Sequence, residues 1–235
     1  MADARAPAGA PDLPTLTVRE AYRLWAPVYD RENAVTSLED RLVRAVSPRA
    51  AGRALLDAGC GTGRRLPTGA RSPRLAVGVD LVPAMLRRSL TRARRGPLLA
   101  CADARSLPLR AARFDLLWLR FVTGHLRDLE EVYRELRRVA STGARLVVSD
   151  FHPAAVAAGH RRTFRDSLGR VLAVEHHAHG VTDHERAARA AGWVRELMLE
   201  APAGLPERPY YVRAGRLEQF ERERALPLVL VMCFH

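Results

Sequence analysis

The chain has 235 residues, 48% of them hydrophobic, and a formal net charge of +12. That length and composition suit one α/β domain with additions and exclude a chain too polar to build a core. No apolar run reaches the roughly 18–20 residues needed to cross a bilayer, and three unpatterned cysteines read as free thiols of a reducing cytoplasm rather than a disulfide framework.

The charge invites a nucleic-acid partner. The sequence contains neither Lys nor Ile, however, so all 38 bases are arginines, spread along the chain instead of gathered among aromatics. That pattern points to GC-rich codons. The expectation is solvated arginine faces, with at most an attraction for anionic small molecules.

In chain order, "MADARAPAGAPDLP" is rich in Ala, Pro and Gly and has no apolar signal region, so residues 1–15 read as a disordered lead-in and not a secretory leader. "LTVREAYRLWAPVYD" places Leu24, Trp25 and Val28 at helical spacing, with Pro27 ending the helix. "SLEDRLVRAV" reads as a second helix with Ser37 as N-cap and Asp40 three residues on. Residues 16–52 would form a helical lid. From Arg53 the text alternates: "RALLDAG", "RLAVGVD", "PLLACAD", "RFDLLWLRF" and "ARLVVSD" are apolar strands, and "PAMLRRSLTRARR" and "DLEEVYRELRRVAS" are helices, the latter stopping near Gly143. Near-continuous apolar strands separated by helices predict a parallel sheet covered on both faces, with residues 53–150 as its core. Residues 151–180 are His-rich and irregular, as an insertion over a site would be. Residues 181–235 return to a helix, "TDHERAARAAG", and two strands, "WVRELMLE" and "LPLVLVMCFH". These are joined by a Pro- and Gly-rich connection and read as an antiparallel hairpin at one sheet edge.

"DAGCGTG" stands at the carboxyl end of the first strand. Gly59, Gly61 and Gly63 permit a tight bend and a close approach of backbone to ligand, and Asp57 precedes them. The spacing is one residue tighter than the dinucleotide fingerprint G-x-G-x-x-G. Asp80 ends the second strand, where a carboxylate accepts from ribose hydroxyls. Asp103 ends the third, where it could accept from an adenine amino group. Three strand-end acids converging on a glycine bend describe a pocket for a nucleoside without a pyrophosphate.

These residues resemble the class I S-adenosylmethionine-dependent methyltransferases from Thr17 to His235. "LLDAGCGTG" looks like their first motif, "VGVDLVPAML" their acidic second, and "CADARSLPLRAARFDLLWLR" their third and fourth. "RELRRVASTGARLVVSD" is similar to the helix and strand that follow. "AYRLWAPVYD" looks like a helix of the branch with the ubiquinone/menaquinone and malonyl-carrier-protein methyltransferases, where the tyrosine, here Tyr29, lies over the cofactor's methionine portion. "SDFHP…G…RTF" is like a segment of many small-molecule members.

The resemblance implies a Rossmann-like, seven-stranded, mostly parallel sheet whose last strand is antiparallel. It implies S-adenosyl-L-methionine as cofactor, held by Tyr29, Asp57, Gly59, Gly61, Gly63, Asp80, Leu81, Asp103, Ala104 and Arg120, with no metal. Two features depart from the family: the short Pro-containing stretch "RRLPTGARSPRLAVGVD" where a helix normally stands, and Arg120 where a smaller residue is usual.

Methyl transfer from a sulfonium depends mainly on holding the nucleophile in line in a water-poor pocket. An acceptor hydroxyl would also need a base. His125 in "RFVTGHLRD" is the first candidate, against a role in bonding a loop backbone. His152 in "SDFHP" is the second, against a turn residue before Pro153. His176, His177 and His179 read as a solvated or substrate-facing stretch, since adjacent strand residues point to opposite faces and chelate one ion poorly. Cys60 is read as a small residue in a tight turn. Tyr22, Trp25 and Phe151 line an aromatic acceptor's pocket or pack the lid.

The expected partner is a small-molecule acceptor, O-, N- or C-methylated, with no nucleic acid and no membrane span, the protein being a cytoplasmic monomer or homodimer. A nucleic-acid methyltransferase is the alternative raised by charge; its [DNS]-P-P-[YFW] stretch is replaced here by "LRFVTGH", and no Pro-Cys pair is present. A cofactor-binding protein without catalysis is the third reading.

Overall fold

The computed structural model describes residues 13–67, 72–90 and 97–235. Most of the expected lead-in, and the end of the helix read over residues 83–95, lie outside the described residues. The final residue of the lead-in, Thr15, joins Leu16 in a short strand, β1, parallel to a later one.

Helix α1, Val18–Trp25, starts with a capping box in which the Thr17 side chain accepts from Glu20 N and Glu20 reaches back to the Thr17 amide. Pro27 converts its end into a single 3-10 turn, Ala26–Val28. Helix α2, Ala34–Val46, begins three residues before the expected Ser37 cap. Asn33 is the N-cap, exchanging hydrogen bonds with Thr36 at 3.0 Å in each direction. Asp40 is thereby inside the helix and is used in an ion pair instead.

The core is a seven-stranded sheet in the order β4-β3-β2-β5-β6-β10-β9. Its strands are β2 Ala54–Ala58, β3 Leu75–Asp80, β4 Leu98–Cys101, β5 Phe114–Arg120, β6 Ala140–Phe151, β9 Arg195–Ala201 and β10 Val229–Phe234. The first five pair in parallel, and β10 runs antiparallel to both β6 and β9. This is the expected sheet. Strand order reverses between β2 and β5, so the crevice beyond their carboxyl ends is where a ligand belongs.

Side-chain alternation divides the core. Leu56, Leu117, Leu119 and Val148 pack on one face against Tyr133 and Leu136 of α4, Glu130–Val139, and against Ala187 of α6, Val181–Ala190. Leu55, Leu116, Trp118 and Val231 pack on the other against Leu38 and Leu42 of α2. Strand β6 follows α4 without a loop, four residues before the expected Ala144; Ala140 already pairs with Phe114.

Two regions carry more structure than their composition predicts. The Pro- and Gly-rich connection holds two helices, α7 Arg208–Arg213 and α8 Leu217–Glu223, which bury Tyr211 and Phe220 against the second face. The insertion contains the short helix α5, Pro153–Ala157, and a hairpin, β7 Thr163–Arg165 with β8 Val171–Val174, to which β1 adds a third strand. Phe164, Leu172 and Val174 of the hairpin pack with Ala21 of α1, and Tyr22 and Trp25 lie against them. The N-terminal helix and the insertion therefore form one lid, built from segments some 150 residues apart. Helix α3, Pro83–Leu90, completes the rim.

Candidate functional site

A cavity of about 530 Å³ opens at the sheet's topological switch point, between the glycine bend after β2, the ends of β3 and β5, and the lid. The bend is made by backbone geometry. Gly59 has φ +81 and Gly61 φ +59, and the Gly59 and Cys60 amides donate to Val79 O at 2.7 and 2.9 Å. A Cβ on Gly59 would lie 2.1 Å from Val122 Cγ2, and one on Gly61 3.4 Å from the Tyr29 ring. Glycine is required here because the backbone is left-handed and its flanks are already filled.

Asp80 ties this bend to the next one. Its Oδ2 accepts from Gly61 N at 2.8 Å and its Oδ1 from Val82 N at 2.9 Å. Each oxygen keeps a further lone pair toward the cavity. Burial is the leading influence on this carboxyl and raises its pKa against the two amides that lower it. Asp103 stands beyond β4 and is engaged in a fork by Arg105, at 3.1 and 2.7 Å, which pulls its pKa down. Leu81, Ala104 and Tyr29 share the same wall.

Arg120 lines the cavity from the end of β5. Its Nε and Nη2 donate to Glu39 at 2.8 Å each, and Nη2 also reaches Asp40 at 2.9 Å. Arg65, from the stretch after the glycines, joins Glu39 at 3.0 Å, and Ser149 donates to it at 2.6 Å. Arg120 Nη1 makes no hydrogen bond to a described residue. The unusual arginine, which lines the cavity, is thus held under the bend by α2, with Nη1 as the nitrogen not engaged by Glu39 or Asp40.

The expected convergence of Asp57 with the other two acids is not what the fold builds. Asp57 lies in the all-buried strand β2 behind the bend, away from the cavity wall, with Oδ1 unpartnered. Burial pushes its carboxyl up to about 6 even with Arg120 and Arg65 nearby. Gly63 likewise shapes the turn without lining the cavity. A strand residue that alternates inward cannot reach a ligand above the strand's end, whereas Asp80 and Asp103 sit on or beyond that end.

On the lid side, Tyr22 and His125 meet inside the cavity, Tyr22 Oη to His125 Nε2 at 2.8 Å. Burial, then the neighbouring Arg162, holds His125 well below the ordinary histidine range, so the ring is neutral. His152 is elsewhere. Its Nδ1 caps α5 by accepting from Ala154 N at 3.0 Å, and its Nε2 meets Glu200 at 2.8 Å. It does not line the cavity.

The histidine trio separates. His177 lines the cavity, His179 bonds Leu126 O at 2.7 Å, and His176 stacks against Gly124. No group among the described residues has a metal-holding arrangement of His, Cys, Asp and Glu. Cys60 is buried and its thiol pKa is raised by that burial, which removes it as a nucleophile at neutral pH. Tyr22 lines the cavity; Trp25 stacks on Phe164 at 4.9 Å within the lid, and Phe151 lies against Phe121 at 5.4 Å.

Neither Asp150 nor Arg162 is among the site residues expected from the sequence, yet the two join beside His125 with Nη2 2.7 Å from Oδ1. Asp150 carried a signal, as one more acid ending a strand. Arg162 carried none among so many arginines.

The contents of the cavity test a nucleoside sulfonium directly. Two strand-end carboxylates retain acceptor capacity toward it, a bend without side chains borders it, and a cationic fork edge is available for a carboxylate. The residues present fit that group.

Comparison with known proteins agrees. Residues 56–148 match the family described as a methyltransferase domain. The chain is 29% identical over 229 residues to 27-O-demethylrifamycin SV methyltransferase of Amycolatopsis mediterranei, spanning 85% of this chain and 83% of that one. It is 36% identical over 143 residues to a demethylmenaquinone methyltransferase of a Roseiflexus species, spanning 57% of this chain and 60% of the relative's own length. In fold it resembles an S-adenosylmethionine-dependent methyltransferase of Mesorhizobium loti, with a TM-score of 0.65, 22% identity and coverage of 83% and 95% of the two chains.

Proposed function

We propose that this chain, whose residues 56–148 match a methyltransferase domain, is a class I S-adenosylmethionine-dependent methyltransferase that methylates a small-molecule acceptor held under the lid, with His125 on the acceptor side. The observation that carries this is one cavity bounded by Asp80, Asp103 and the Gly59–Gly61 bend on one side and by Tyr22 and His125 on the other. Bound there, S-adenosylmethionine supplies a methyl group on a sulfonium that leaves as a neutral thioether.

The chain's own residues do the rest. Asp80 accepts from the ribose hydroxyls through the lone pairs its two amide bonds leave free. Asp103 accepts from the adenine amino group, with Leu81 and Ala104 flanking the base. The free edge of Arg120 meets the amino-acid carboxylate, and Tyr29 walls that end of the cavity. The lid excludes water, which favours direct displacement by an oriented nucleophile.

A neutral His125 keeps a lone pair on one ring nitrogen; Arg162 Nη1, which can only donate, lies 3.3 Å from Nε2 and favours that lone pair there, where the Tyr22 hydroxyl also stands. An acceptor O–H or N–H takes that position and is oriented by it. As the new bond to carbon forms, the acceptor atom becomes strongly acidic, so even an imidazole of depressed pKa then receives the proton. This assigns His125 the role of late proton acceptor.

Incubation with methyl-labelled S-adenosylmethionine and panels of small molecules, oligonucleotides and proteins tests the reading. Label should enter small molecules, and His125→Gln should reduce turnover while leaving calorimetric binding of S-adenosylhomocysteine within about threefold. No heat with either nucleoside, or label entering nucleic acid alone, overturns it.

A further inference from the structure

The insertion delivers one fully enclosed cation to the acceptor side of the cavity. Arg162, immediately before β7, has a side chain 5% exposed. Its Nη2 binds Asp150 Oδ1 at 2.7 Å, and its Nη1 donates to Phe121 O at 2.9 Å and lies 3.3 Å from His125 Nε2. The guanidinium also stacks over Phe151 at 4.9 Å and Phe121 at 5.5 Å.

What it holds is a strained turn. Phe121 has φ +56, a left-handed conformation that is costly for a non-glycine residue and persists only where surroundings enforce it. The enforcement is visible. Phe121 N donates to Ser149 O at 2.8 Å, and its carbonyl is bound by Arg162. Two and three residues on, Thr123 Oγ1 and Gly124 N both donate to Asp150 Oδ2, so the carboxylate that binds Arg162 also fixes the base of His125. Gly124 has no room for a side chain, because His176 and Asp150 already fill it.

We propose that Arg162 is the positioning residue of this site: docking of the insertion seats its guanidinium between Asp150 and the Phe121 carbonyl, which sets the Phe121–His125 turn and fixes where His125 stands in the cavity. This rests on the methyltransferase reading for its purpose, though not for its geometry. Burial is the leading reason the His125 ring is neutral; Asp150 pulls the other way, and the cation paired with it adds to the effect of burial. The other groups facing His125 are Tyr22 of α1, whose hydroxyl lies 2.8 Å from Nε2, and His176 and the Glu175 backbone from the segment after β8. None of them supplies a formal negative charge at the ring to replace what Arg162 offsets.

The test uses the full chain saturated with S-adenosylhomocysteine, with labelled histidine, and with His125→Gln to assign the resonance among the eight histidines. Arg162→Met removes charge and fork; Arg162→Lys keeps charge alone. In the parent, the His125 ring signal should stay flat from about pH 5.5 to 8. In Arg162→Met its midpoint should rise, because Asp150 is left without its cation, and in Arg162→Lys it should stay where it is in the parent. Both variants should speed hydrogen exchange at amides 121–126 by about tenfold or more while strands β2 and β10 keep their protection.

A His125 midpoint no higher in Arg162→Met than in the parent, or loosening spread evenly over turn and sheet, overturns the proposal. If Arg162→Met does not fold, the exchange pattern of Arg162→Lys decides by the same criterion. Failure of the parent to bind S-adenosylhomocysteine refutes the methyltransferase reading, while the titration, repeated without it, still judges Arg162.

Discussion

Replacing Gly59 by alanine should separate two costs that the glycine bend avoids, with Gly52→Ala as the control. Both glycines are left-handed, φ +81 and φ +75, but a Cβ at Gly52 meets nothing within 4 Å, whereas at Gly59 it comes 2.1 Å from Val122 Cγ2. A left-handed alanine costs about 1–2 kcal/mol, offset in part by about 0.4–1 kcal/mol from the stiffer unfolded chain. Gly52→Ala should therefore lose about 1 kcal/mol in all. Gly59→Ala adds overpacking of about 1–3 kcal/mol, because Val122 must move.

At about 2–4 °C per kcal/mol for a chain of this size, the expected loss of Tm is about 2–4 °C for Gly52→Ala and roughly 4–16 °C for Gly59→Ala. Val122 also lines the cavity, so its displacement should blunt the Tm rise that S-adenosylhomocysteine produces in the parent and in Gly52→Ala. Thermal melts with and without the nucleoside read both effects. Equal losses at the two positions, or a full ligand response in Gly59→Ala, would refute the reasoning.

Asp80→Asn leaves one acceptor oxygen for two backbone donors, Gly61 N and Val82 N, and removes the charge that ribose hydroxyls would meet. Two charge-assisted hydrogen bonds at about 1.5–3 kcal/mol each predict calorimetric affinity for S-adenosylhomocysteine lower by roughly 10²–10⁴; a change within about threefold would remove Asp80 from the ribose site. Asp57→Asn should act on stability with the opposite sign. Burial raises the Asp57 pKa from 3.8 to about 6, so the folded state binds the proton more tightly, and its contribution falls as pH rises from about 4 to 6 and stays low above that. The variant should be more stable than the parent at pH 7 by up to about 3 kcal/mol, the advantage vanishing near pH 4. Urea melts giving the same difference at both values would contradict this.

Strand-by-strand alternation makes the parallel sheet legible in the residues themselves, because apolar runs buried on both faces leave little choice of architecture. Asp80, Asp103, Gly59 and Gly61 are legible for a related reason: they sit where strands end, and the crevice of such a sheet lies there by topology. Asp57 shows the limit. Its place in the same pattern puts it with the other acids, but one residue inside the strand is enough to turn a carboxylate away from the ligand and into the interior.

His125 and His152 look equivalent as histidines just beyond strands, and only packing tells them apart. One is closed over by the lid, and the other caps α5 and faces Glu200. The lid itself could not be read, since β1, α1 and the β7–β8 hairpin join across some 150 residues through short strands too weakly patterned to announce their partners. Arg162 is the extreme case. Nothing local distinguishes it from the other arginines. Its role comes from being carried into a dry space where a cation must find a carboxylate and a carbonyl, and such enclosure is a property of the assembled chain alone.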